Sequence, residues 1–252
     1  NFTCGKVNLK VTCTSPLILD ELDLLARPVS YITYEVASND GAEHQVKIFT
    51  GASSDIAVND PTQEVEASAG NTAETSFLKA GTVAQPVLKR KGDVIRIDWG
   101  YMYTAVPKSM GAQQFIASEK EAVKAFSADK PAGKQSSAGK QLMLTTVIPF
   151  GKVGKKAEEK FIMLAYDDVK SIEYFHQILL PWWKKGGQVS FNDQLDLASK
   201  EYKPVQSKCD KVDERIYQDA LTAGGENYAE LCVIAYRQAI AAHKLVKSPE
   251  GE

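Results

Sequence analysis

An acid and a base stand two residues apart in the run Gly92–Ala105, "GDVIRIDWGYMYTA". At the two-residue period of a strand, Ile95, Ile97, Trp99, Tyr101 and Tyr103 share one face, and Arg96 and Asp98 share the other. Two readings follow. As architecture, Arg96 and Asp98 pair with each other or with a neighbouring strand on the outer or interface side of a sandwich, while Ile95, Ile97, Trp99 and Tyr101 fill its core. As chemistry, they form a polar patch with aromatic edges that faces a substrate cleft. The polar faces of such sheets are usually solvated or covered by a partner domain, which favours architecture.

Other constellations are thinner. Acids cluster at Asp20, Glu21 and Asp23, at Asp93 and Asp98, and at Asp167 and Asp168. Glycoside hydrolysis needs two carboxylates about 5 to 9.5 Å apart across a cleft, a separation that sequence does not fix between distant segments. Asp167 and Asp168 read as a cap for a following helix, because an acid there accepts orphan N–H groups. Glu173 and His176 have the spacing of a di-metal helix motif, but only one copy is present, which leaves a helix-surface pair. Two Ser-x-x-Lys matches, Ser76 to Lys79 and Ser137 to Lys140, fall in strand-like and loop-like contexts and lack the helix that would let the lysine deprotonate the serine. There is no nucleophile elbow, P-loop, Gly-rich dinucleotide turn or zincin motif. The residues therefore designate no catalytic set, no metal ligands and no cofactor. The polar and aromatic candidates are Arg96, Asp98, Trp99, Tyr101 and Trp183.

The elements around these residues change character near residue 168. Val7 to Cys13 alternates, Tyr31 to Val36 and Gln45 to Phe49 flank a Ser38-Asn39-Asp40-Gly41 hairpin signal, and further strand-like runs are Ser76–Leu78, Pro86–Lys89, Val94–Val106, Leu142–Ile148 and Phe161–Ala165. A helix is expected over Ser118–Phe126, with Ser118 and Glu121 as a capping box. Ala128 to Lys140 reads as a solvated loop. Beyond Asp168 the pattern is helical: Ile172, Phe175, Ile178 and Leu179 form a stripe, one or two helices break near Pro204 and close at Gly224 and Gly225, and a last apolar helix precedes "KSPEGE". The expected fold is mixed β and α, an N-terminal antiparallel β-sandwich over 1–168 followed by an incomplete α/α helical region over 169–252.

A chain of 252 residues with 44% hydrophobic and 25% charged residues builds a real core, and a net charge of −2 offers no electrostatic case for nucleic acid or an anionic membrane. No apolar run is long enough to span a bilayer. The start at Asn1 reads as processed or trimmed, so the missing signal says little about export. Cys4, Cys13, Cys209 and Cys232 have no metal or redox spacing and read as free thiols, with Cys13 and Cys232 buried on apolar faces.

Four blocks carry a family resemblance: Leu24–Phe49 ("LLARPVSYITYEVASNDGAEHQVKIF"), Gly92–Val106, Leu164–Phe175 ("LAYDDVKSIEYF") and Gly224–Val246 ("GGENYAELCVIAYRQAIAAHKLV"). In order and content they resemble the glutaminase A family, secreted fungal enzymes and their bacterial relatives. The resemblance implies a β-sandwich ahead of an α/α barrel of the six-hairpin type, hydrolysis of glutamine to glutamate and ammonia, and a secreted or periplasmic location. It assigns no catalytic residue here. It also implies that most of the barrel, the intramolecular partner of this region, lies beyond Glu252, so that this piece alone is inactive and glutamine is a substrate of the full-length parent. The alternative from another class is a carbohydrate-active or carbohydrate-binding protein related to six-hairpin glycosidases, with Trp99, Tyr101, Trp182 and Trp183 stacking on sugars.

Overall fold

In a computed structural model, residues 1–130 and 132–248 are described. Pro131 of the expected solvated loop and the last four residues of the C-terminal tail lie outside them. The chain is mixed β and α, with antiparallel sheets first and helices towards the C-terminal end. It divides into two compact units, Asn1–Cys13 with Val29–Lys170, and Thr14–Pro28 with Ser171–Glu252.

The strands of the first unit are β1 (Phe2–Cys4), β2 (Val7–Thr14), β3 (Val29–Ser38), β4 (His44–Ser53), β5 (Val65–Asn71), β6 (Thr75–Thr82), β7 (Tyr101–Pro107), β8 (Gln113–Ala117), β9 (Ser136–Gly139), β10 (Met143–Val153) and β11 (Glu158–Asp167). They form an eight-stranded sheet in the order β1-β2-β3-β11-β7-β6-β5-β9 and a three-stranded sheet in the order β4-β10-β8. The inner faces meet in two apolar clusters. Tyr34, Val36, Val106 and Ile162 pack against Ile148 and Phe150, and Leu78, Ala80 and Met102 pack against Ile116 and Leu144. Leu78, Met102, Ile116, Leu144, Ile148 and Ile162 are all less than 2% exposed, and burying each contributes about 1.5–3 kcal/mol. The result is a β-sandwich.

The helix expected near Ser118 spans Glu119–Ser127, and Ser118 and Glu121 form the capping box. It covers the outer face of the small sheet: Ala122 packs on Phe115 and Val147, and the Phe126 and Phe49 rings lie 5.3 Å apart. The turn at Ser38–Gly41 is present, with Gly41 at φ +83°, yet β3 and β4 do not pair. They belong to opposite sheets. Turn residues dictate that the chain reverses, and the apolar faces of β3 (Tyr34, Val36) and β4 (Val46, Ile48) gain more by facing each other across the core.

Three strand expectations give way. Pro86–Lys89 and the stretch before Tyr101 are not strands. Inside β7 it is Met102, Thr104 and Val106 that are turned to the second sheet, so Tyr101 and Tyr103 lie on the opposite face and the aromatic row is not the sandwich core. Part of the solvated loop, Ser136–Gly139, instead pairs with β5 as edge strand β9. Cys13, at the end of β2, is exposed with Cys4, whereas Cys209 is buried and Cys232 half-buried; all four are free.

In the second unit the stretch after Asp168 is no helix. Ile172–Tyr174 (β12) and Gln177–Leu179 (β13) form a hairpin whose turn residues Phe175 and His176 have φ of 44° and 66°. A short 3-10 stretch, Trp182–Gly187, follows. The β-branched and aromatic residues of the run suit a ribbon, and the stripe at helical spacing is coincidental. Asp167 caps no helix either; its Oδ1 accepts from the Val169 N–H at 2.9 Å in a local turn.

The N-terminal segment Thr14–Pro28 holds one helical turn, α1 (Leu22–Leu25), and the helix over Glu119–Ser127 is α2. Helices α3 (Phe191–Lys200), α4 (Tyr202–Gly224) and α5 (Glu226–Ala241) follow the 3-10 stretch. The break between α3 and α4 is at Glu201; Pro204 sits in the first turn of α4, where a missing N–H costs nothing. Segment 14–28 is tied to these helices by Arg27 Nη2 to Glu201 Oε2 (2.7 Å), Lys208 Nζ to Glu21 Oε2 (2.6 Å) and the Tyr236 hydroxyl to the Leu17 carbonyl (2.8 Å), and to the 3-10 stretch by Trp182 Nε1 to Asp23 Oδ1 (2.9 Å). This unit is therefore discontinuous in sequence, which periodicity does not reveal.

Candidate functional site

Arg96, Asp98 and Trp99 lie on the segment that enters β7, and Tyr101 begins that strand. Asp98 is wholly buried. Its Oδ2 accepts Arg90 Nε at 2.5 Å and Gln63 Nε2 at 3.0 Å, and its carbonyl accepts the Thr82 hydroxyl at 2.5 Å. The ionic partner is thus Arg90, from the loop after β6, and not Arg96. Arg96 is exposed, and its backbone N–H donates to Asn59 Oδ1 at 2.9 Å.

The two residues after Asp98 are clamped as tightly. The Trp99 indole N–H donates to the carbonyls of Asp168 (2.9 Å) and Lys170 (3.0 Å), and the Tyr166 hydroxyl donates to the Trp99 carbonyl at 2.7 Å. Gln85 grips Gly100 from both sides, accepting from its N–H at 2.7 Å and donating to its carbonyl at 3.1 Å. Gly100 has φ +76°, and a Cβ there would lie 2.2 Å from the Asp167 carbonyl oxygen. Only glycine fits, and this turn ends the alternation extrapolated from β7 into residues 94–99.

Two of the five sequence candidates are not at the surface. Asp98 is one. Trp183 is 3% exposed in the second unit, edge-on to Phe191 with ring centroids 5.6 Å apart. Tyr101 is half-buried beneath the Lys79 ammonium, 5.0 Å from the ring centre, and Trp99 is half-buried with its N–H used. Sequence reasoning missed Gln63, Gln85, Arg90 and Tyr166, the side chains that hold the segment. None carries a local spacing signal, because Gln85 and Arg90 lie in the irregular loop between β6 and β7, Gln63 in the loop before β5 and Tyr166 in β11.

The electrostatics suit a structural knot. Burial, and then the charges of Asp168, Asp98 and Asp167, push the Tyr166 phenol well above its ordinary range, so it stays a neutral donor. Asp98 has no exposed surface through which to exchange a proton with a substrate. Among the described residues, no three His, Cys, Asp or Glu side chains are grouped to hold a metal ion, and no helix is long and apolar enough to cross a membrane. A groove beside β1–β3 is lined by Phe2, Thr3, Asn8, Leu9, Lys10 and Glu35.

With this geometry in place, the chain's relatives bear on its reading. It is distantly similar to glutaminase A of Aspergillus oryzae, 23% identical over 257 residues, covering 97% of this chain and 36% of that protein. The chain thus spans little more than a third of the curated relative's length. Residues 1–219 match the family model described as "Domain of unknown function (DUF5127)", and the chain belongs to that family.

Proposed function

We propose that this chain is the sandwich and first helices of a glutaminase-like amidohydrolase, in which the sandwich braces a helical catalytic region. The observation that supports this most is the similarity to glutaminase A along nearly the whole chain. In the reaction, water adds to the side-chain amide carbon of glutamine, the C–N bond breaks and ammonia leaves with a proton, giving glutamate. That step needs an activated water or nucleophile and donors for the oxyanion. Asp98 is wholly buried with its Oδ2 held by Arg90 and Gln63, so the reacting groups belong to further helical hairpins of an α/α barrel. A secreted or periplasmic location goes with this reading and rests on the family resemblance alone. The test is ammonia release from L-glutamine by a protein in which this chain continues to the length of the relative. Turnover supports the reading, and a folded long protein that leaves glutamine intact refutes it.

A further inference from the structure

We propose that the tip of the loop joining β6 to β7 is a docking element for an anionic phospholipid surface. Residues 89–96, "KRKGDVIR", are all exposed, and at their centre Val94 is 97% and Ile95 44% exposed. Two β-branched apolar side chains held in water are costly unless they meet something. The loop holds them there firmly: Arg90 is pinned to buried Asp98, the Arg96 N–H to Asn59, and Gln85 to Gly100. Gly92, at φ +137°, lets the chain reverse at the tip.

Lys89, Lys91 and Arg96 flank the apolar pair, with Asp93 the opposing charge at the tip and Asp60 near Arg96 at its base. The tip is therefore locally cationic in a chain whose net charge is −2. An apolar knob ringed by cations fits a bilayer interface, where acyl chains accept side chains without a preformed pocket and lipid phosphates meet the ammonium and guanidinium groups. An acidic protein would have to supply a matching apolar pocket.

The test is co-sedimentation of the whole chain with vesicles of phosphatidylglycerol and phosphatidylcholine, against phosphatidylcholine alone, at low and high salt. Partition onto the anionic vesicles, lost at high salt, is expected. Joint replacement Lys89→Gln, Lys91→Gln and Arg96→Gln lowers it about 100-fold, and Val94→Ser with Ile95→Ser about tenfold, with the thermal midpoint kept as the control for folding. Asp93→Lys, which touches no anchor, strengthens it at least about tenfold. No partition at low salt, partition indifferent to these substitutions, or binding to immobilised polyglutamate in place of vesicles would each overturn the proposal, the last in favour of an acidic protein partner.

Discussion

Removing the Arg90 guanidinium is predicted to harm the sandwich more than neutralising the carboxylate it serves. Arg90→Met leaves Asp98 at 0% exposure with only the neutral Gln63 amide on Oδ2. Breaking a buried pair from one side costs about 3–5 kcal/mol. Because the Arg90 side chain is itself 40% exposed, the lower end, about 3 kcal/mol, applies. Asp98→Asn is nearly isosteric, keeps an acceptor for Gln63 and frees Arg90 to turn into water, so about 1–2 kcal/mol is lost. In a unit of this size 1 kcal/mol moves the midpoint by about 2–4 °C, which gives roughly 6–12 °C for Arg90→Met and roughly 2–8 °C for Asp98→Asn. In urea unfolding followed by tryptophan fluorescence, the double variant falls short of the summed losses by about 1–3 kcal/mol. Two single variants that each cost under about 0.5 kcal/mol, or strictly additive losses, would refute the reasoning.

Gly100→Ala destabilises by more than about 3 kcal/mol or prevents folding, because the left-handed backbone and the 2.2 Å approach to the Asp167 carbonyl leave no room; a midpoint within 2 °C of the parent, measured by circular dichroism, would contradict this. Ser118→Ala removes the N-cap of α2 and costs about 1 kcal/mol by urea unfolding, whereas no change would mean that packing alone holds the helix. Cys209 is buried, and burial, then Asp213, Asp210 and Glu21, push its thiol up to about 11. With a thiol-reactive dye, exposed Cys4 and Cys13 label first and Cys209 only on unfolding; equal rates would place Cys209 at the surface. The folded thiol titrates above the unfolded one, so its contribution to stability is intact below the unfolded value of about 8.5 and declines as pH rises towards 11.

The two-layer β fold was legible in the chain because alternation and turn chemistry are local, and the capping box at Ser118 was legible for the same reason. What failed were inferences that needed the third dimension. The turn at Ser38–Gly41 is correct, but whether its strands pair or face one another depends on partners β10 and β11, which arrive more than 90 residues later. The ribbon at 172–179 passed for a helix because Ile172, Phe175, Ile178 and Leu179 fall at helical spacing, while the turn at Phe175 and His176 carries no Gly, Asn or Asp to announce a hairpin. The parity of the Asp98 segment was lost at Gly100, whose positive φ separates residues 94–99 from the strand they precede. Arg90 was invisible as a partner since it lies in an irregular loop eight residues upstream, where no spacing rule applies.

The scaffold role of these residues is tested most directly by assaying ammonia release from L-glutamine with the 252-residue chain itself, alongside its Asp98→Asn variant. The account predicts no release above buffer from either protein. Release by the parent chain, abolished in Asp98→Asn while the folded state persists, would contradict it and return Asp98 to the reaction.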